Sequence, residues 1–168
     1  MNARVVHLLK TLMIALLTVL LVGGCAGSPE RPETLRQALF GLGAVAAERV
    51  LASPSLPSPI TGQVLLLATP KVDPTLGIDQ ERLRESLTRA LLGAADGPQI
   101  LNWSDAMSGG GGDNQWRLDS RLDADGPRLT LSDRDLLPYR LTLALRRPGS
   151  ETALWTTDIS GALDASAL

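Results

Sequence analysis

Side chains able to do nucleophilic, acid–base or metal chemistry are few in this 168-residue chain. It holds one histidine, His7, and one cysteine, Cys25. If residues 1–24 are removed, as argued below, no histidine remains and the cysteine stands first. Cys–His and Ser–His catalysis are then excluded, as are zinc sites built on His or Cys clusters. Asp119, Asp123 and Asp125, with Gly126 next, invite a calcium loop. The register fails: with Asp125-Gly126 at loop positions five and six, Arg121 and Ser132 fall where acidic ligands are required. Asp125-Gly126 is instead expected to be a tight hairpin turn. The tetraglycine at 109–112 lacks a following Gly-Lys-Ser/Thr and reads as a linker, not a phosphate loop. Asp79, Glu81, Glu85, Asp105, Asp133 and Asp135 could supply a glycosidase pair, but a glycan cleft also needs aromatic platforms. Trp116, Tyr139 and Trp155 fall in phase with strand core faces, so core packing is expected for them, and Trp103, at a strand end, is the least certain to be buried. The expectation is no enzyme, no metal and no cofactor.

The most specific chemistry is that of Cys25. Residues 1–10 carry Arg4 and Lys10 and no acid, and 11–22 (TLMIALLTVLLV) are an almost unbroken apolar run. Twelve residues are too few to span a bilayer, which takes about 20, and suit the apolar region of an export signal. Then comes Leu21-Val22-Gly23-Gly24-Cys25. This resembles the lipobox of bacterial lipoproteins. The resemblance implies that the Cys25 thiol takes a diacylglycerol, that the chain is cut between Gly24 and Cys25, and that the new amine is acylated. Three acyl chains exceed what stable anchoring needs. Ala26 follows the cysteine, not the Asp linked to inner-membrane retention, which implies the outer membrane, periplasmic face.

A chain of 144 residues would remain, one ordinary domain. Its formal charge moves from −2 to −4 with the loss of Arg4 and Lys10, so nucleic acid is a poor partner. Residues 25–59 are expected to hold a polar tether, an amphipathic helix over 33–51 and a Pro/Ser-rich extended linker over 52–59. Leu35, Leu39, Leu42, Ala46 and Val50 form the helix stripe, which Gly41 and Gly43 weaken. The globular part is expected over 60–164. Residues 63–69 read as a strand covered on both faces, and 79–92 as a helix capped by Asp79, stapled by Ile78 and Leu83 and stopped at Gly93. A short strand over 99–103, a glycine-rich loop over 108–113 and strands over 115–122, 128–131, 139–146 and 153–160 complete the pattern. This predicts an α/β fold: a mixed, mainly antiparallel sheet, strand–helix–strand then meander, with helices on one side.

That order, with the segments Gly62-Gln63-Val64-Leu65-Leu66-Leu67, Leu83-Arg84-Glu85-Ser86-Leu87, Trp116-Arg117-Leu118-Asp119-Ser120, Tyr139-Arg140-Leu141-Thr142-Leu143 and Leu154-Trp155-Thr156, resembles LpoB-type outer-membrane lipoproteins, which activate class A penicillin-binding proteins. The likeness extends to the wider set with the TolB N-terminal-like fold, curli-secretion lipoproteins included, and covers about residues 61–161. It implies a protein partner, a peptidoglycan synthase that the domain activates allosterically, on a membrane-anchored domain. An accessory lipoprotein of an outer-membrane or secretion complex is the alternative. Two departures stand out. Such proteins carry a second helix where this chain has residues 106–115, a gap that helix 33–51 could fill. They also carry a long tether, where this chain has eight residues, or at most about 28 Å.

Overall fold

The computed structural model describes residues 31–109 and 111–165. Gly24 and Cys25, the expected cleavage and lipidation positions, lie outside the described residues. Helix α1 (Arg31–Leu51) leads into strand β1 (Val64–Leu67), β2 (Lys71–Val72), helix α2 (Gln80–Leu92), β3 (Gln99–Asn102), β4 (Gln115–Ala124), β5 (Leu129–Thr130), β6 (Asp135–Arg146) and β7 (Ala153–Asp164). All strands join one mixed sheet. β1 runs parallel to both β3 and β4, and β2 continues along β4 after Pro70. β4, β5 and β7 run antiparallel to β6.

α2 is built as its sequence dictates. The Asp79 carboxylate accepts from the backbone N–H groups of Glu81 (2.9 Å) and Arg82 (3.1 Å), satisfying two donors the helix leaves unpaired. Ile78 and Leu83 are both buried. Leu83, Leu87 and Leu91 pack onto the sheet face formed by Leu65, Leu67, Trp116, Leu118, Leu122, Leu141, Leu143 and Leu145. We call this the inner face.

Helix α1 is neither a stalk nor a separate module. Its stripe of Leu35, Leu39, Leu42, Ala46 and Val50 is buried, and with Ala47 it belongs to the same core. Gly43 sets the approach of the two helices. A Cβ on Gly43 would lie 2.4 Å from Ser86 Oγ and 2.8 Å from the Ser86 carbonyl, whereas one on Gly41 would meet nothing. The Ser86 hydroxyl, freed by that closeness, donates to the Leu39 carbonyl.

The compact unit therefore begins at Arg31, not at Ile60 as the sequence boundary had it. Residues 52–59 do not form an extended linker either. Ser53 and Leu56 are buried, Leu56 N–H donates to the Ser53 carbonyl, and Ser55 Oγ donates to the Leu154 carbonyl on β7. A Pro/Ser segment becomes a series of turns once an apolar residue inside it, here Leu56, finds a core to enter.

The turn at Asp125-Gly126 also differs from expectation. Asp125 N–H still donates to Pro138 on β6, and β5 then pairs with β6 on the edge that β4 occupied. Residues 125–128 are thus an excursion within one long strand line, with Gly126 at φ 147°. The chain reverses at Ser132-Asp133, where Leu131 N–H donates to the Arg134 carbonyl at 2.8 Å.

The β3–β4 connection must cross β1, because both strands run parallel to it. α2 carries the β1–β3 crossover on the inner face, so right-handedness sends the returning connection over the outer face. Trp103 and the 3-10 turn Asp105–Gly109 do this. The Trp103 ring lies under the outward-pointing Arg117 guanidinium, 4.9 Å from its centroid, and Leu66, which faces outward, is only 2% exposed. α1 sits on the inner face beside α2, so it does not fill the place of the missing second helix. A short connection covers that side instead, touching Pro148 and Gly149 of the β6–β7 turn.

Candidate partner-binding surfaces

No part of the described chain gathers a catalytic constellation from the residues singled out above. Asp79 caps α2. Glu81 pairs with Arg84 and Glu85 with Arg89 along its exposed side. Asp133 pairs with Arg134 (2.8 Å) and Asp135 with Arg128 (3.5 Å), near the β5–β6 turn. The three aspartates of the discarded calcium reading are each answered by arginine: Asp119 by Arg117 (2.9 Å) and Arg146 (2.6 Å), Asp123 by Arg121 (2.8 Å), Asp125 by Arg140 (3.0 Å). Trp116 is 3% exposed, donates from Nε1 to Gln63 Oε1 at 3.0 Å and carries the Arg147 guanidinium 3.8 Å above its ring. Tyr139 and Trp155 pack against the core from its margin. Trp103, the aromatic least expected to be covered, is half-buried on the outer face.

Two surfaces could meet a partner. The first is the outer face of β4, β6 and β7. Alternation places Arg117, Asp119, Arg121 and Asp123 of β4 opposite Arg146, Ala144, Thr142 and Arg140 of β6, and Asp158 of β7 opposite Thr142. The Thr142 hydroxyl donates to Asp158 at 2.7 Å, and Arg140 spans Asp125 and Asp158. Charges alternate along β4, and Asp123 faces Arg140 across the ladder. Arg117, Asp119 and Arg146 are the most covered of these; Asp119 Oδ2 and Arg146 Nε are buried and answer one another. Hydrogen bonds and the guanidinium of Arg134 hold the Asp133 carboxyl below its usual range, and the hydroxyl and backbone N–H of Thr75 do the same for Asp73. On the inner face the direction reverses: burial pushes the Tyr139 phenol up.

The second surface is a groove of roughly 370 Å³ between α1 and α2. Leu35 and Leu39 line it below; Arg36 and Phe40 of α1 face Arg82, Glu85 and Arg89 of α2. Sequence reasoning assigned the inner stripes of both helices correctly but not this groove. Arg82 and Arg89 lie seven residues apart and so share a side of α2, yet Arg36 joins them only because α1 docks. Nothing in the sequence orders that docking except the apolar stripe itself. Among the described residues no three His, Cys, Asp or Glu side chains converge as metal ligands, and no helix is long and apolar enough to cross a membrane.

No protein-family model matches the chain, and no curated protein matches its sequence. Solved structures of similar outline exist. A lipoprotein from Neisseria meningitidis is 9% identical, with a TM-score of 0.45 over 61% of this chain and 84% of that one. The LpoB C-terminal domain from Escherichia coli is 12% identical, with a TM-score of 0.45 over 74% of this chain and 97% of that one. A protein from Xanthomonas campestris is 12% identical, with a TM-score of 0.40 over 68% and 77% respectively.

Proposed function

We propose that the chain is a non-enzymatic lipoprotein, held to the periplasmic face of the outer membrane through Cys25, that binds a protein partner close to that membrane as an accessory subunit of an envelope complex. The observation that carries the short working distance is the fold of residues 31–59. Had α1 stood free, the helix and the Pro/Ser segment would have carried the domain tens of ångströms from its anchor. Folded onto the sheet, they leave residues 25–30 as the reach, at most about 21 Å when extended. The paired acids and the absence of histidine beyond His7 support a binding role over a chemical one.

Activation of a peptidoglycan synthase, implied by the likeness in element order to LpoB-type lipoproteins, is the second reading. It requires the domain to bind the active state of the synthase more tightly than the inactive one, since equal binding shifts nothing. The short reach means that the synthase must extend to the domain. Crosslinking in cells, with a flexible insertion after Ala26 as the variable, separates the two. For the accessory role, crosslinks go to outer-membrane proteins and weaken as the tether grows. Crosslinks to a class A synthase that strengthen with tether length, together with faster glycan polymerisation on adding the purified chain, would sink the accessory reading in favour of activation. Deleting residues 52–59 cannot serve as this test, because Ser53 and Leu56 belong to the core. Cys25→Ser should release the chain from the membrane fraction.

A further inference from the structure

We propose that the groove between α1 and α2 seats the anionic headgroups of the membrane to which the chain is anchored, so that the helical layer lies against the bilayer and the outer sheet face points away. The inference rests on anchoring through Cys25. Three observations carry it. The first is unanswered positive charge. The arginines of the outer face pair with carboxylates, whereas Arg36 and Arg82 make no ion pair among the described residues, and both open into the groove. With Arg89 they place three guanidiniums around one carboxylate, Glu85, in a chain that is acidic as a whole. The second is apolar exposure at the same rim: Phe40 is 54% exposed beside Arg36 and Arg82. A basic cluster with an aromatic ring at its edge matches a lipid interface, where phosphates sit above acyl chains. The third is position. Arg36 lies five residues into the described part of the helix, about 8 Å along it at 1.5 Å per residue, and Cys25 lies six residues before Arg31. The groove is therefore held within a few nanometres of the acyl chains. At that effective concentration, a contact far too weak to recruit a free protein still orients a tethered one.

The test uses the full-length, acylated chain in phosphatidylcholine vesicles, with or without phosphatidylglycerol. Phe40→Cys supplies the one free thiol once Cys25 is acylated, and an environment-sensitive fluorophore on it reports insertion. Val45→Cys, labelled at an exposed position further along α1, is the control. The expected result is a blue-shifted, brighter Phe40 probe on phosphatidylglycerol, reversed by salt, with no change at the control. Each basic residue near an anionic surface favours association roughly fivefold, so R36E/R82E should lower the ratio of inserted to free probe by at least about tenfold. R36K/R82K should retain it, which separates loss of charge from loss of fold. Acylated protein that floats with the vesicles while its Phe40 probe ignores phosphatidylglycerol overturns the inference and leaves anchoring intact. A probe already shielded by a co-purifying protein overturns it in favour of a protein occupant. An unmodified Cys25 overturns both.

Discussion

On the inner face of β4 and β6, Leu118, Leu122, Leu141, Leu143 and Leu145 are closed over by two helices. The residues alternating with them on the outer face include Arg117, Asp119, Arg121, Asp123, Arg140 and Arg146, which are held mainly by ion pairs at the surface. The same two strands thus carry two kinds of interaction at equal density, and their energetic weights differ by an order of magnitude. Burial of a leucine removes its whole side chain from water and fills space that nothing else fills. An exposed ion pair trades two hydrated charges for one another, at a median gain of about 0–1 kcal/mol. Neighbours in the ladder separate the two terms cleanly. Leu143→Ala should cost about 2–5 kcal/mol in denaturant unfolding, through lost transfer energy and the cavity left behind. Thr142→Ala, one residue away, removes only the exposed bond to Asp158 and should cost less than about 1 kcal/mol. Equal costs would mean that the helices do not seal the inner face.

The next effect divides two glycines within one helix. Gly43→Ala must push a methyl into Ser86, partly into its backbone carbonyl, and should destabilise by about 1–3 kcal/mol. Gly41→Ala meets open space and should stabilise by about 0.5–1 kcal/mol, as alanine costs less to order in a helix than glycine. Thermal unfolding of both variants measures the difference in sign. If both stabilise, α1 is not docked as described, and the stalk geometry of the synthase-activator reading returns.

That pair also shows what the sequence could carry. Period-3.6 and period-2 patterns are statements about which face is buried, and the faces of α1, α2, β4, β6 and β7 follow from them. Gly41 and Gly43 are identical in any such pattern, because what distinguishes them lies on α2. Asp125-Gly126 is a strong local turn signal, but β6 is twelve residues long and offers residues 135–138 past the end of β4, so pairing overrides the turn and Ser132-Asp133 reverses the chain. Gly161 is a similar case. It faces Tyr139 across the ladder, and a Cβ there would lie 2.5 Å from the phenol oxygen. The sequence held no cue to that register. The groove of Arg36, Arg82 and Arg89 was hidden for the same reason, since it exists only after two helices have met.

Within the outer face, Asp119 should stand apart from the other carboxylates. It answers both Arg117 and Arg146, and the Arg146 side chain is only 16% exposed. Asp119→Asn leaves that covered guanidinium with a weaker acceptor and should cost about 1 kcal/mol. Asp123→Asn, beside a well-exposed Arg121, should fall within about 0.5 kcal/mol of the parent. Urea titrations at low and high salt sharpen the contrast: the Asp123 effect should vanish with salt, and the Asp119 effect should persist because the pair is shielded from counterions.

Titration separates the exposed loops from the inner face last and most gently. Asp73 and Asp133 have carboxyls lowered in the folded state, by Thr75 and by Arg134 respectively, so the folded chain binds their protons less readily than the unfolded chain. Their contribution is fully present above the unfolded value of 3.8 and is lost as pH falls through the folded values below it. Tyr139 runs the other way: its phenol is raised by burial, so its contribution is intact below the unfolded value of 10.0 and is lost as pH rises past it. Stability measured against pH should therefore show an acid loss that Thr75→Val and Asp133→Asn reduce and an alkaline loss that Tyr139→Phe reduces. An alkaline limb unchanged in Tyr139→Phe would show that the phenol is hydrated, and that the inner face opens at the β6–β7 margin where Gly161 lets the ring lie.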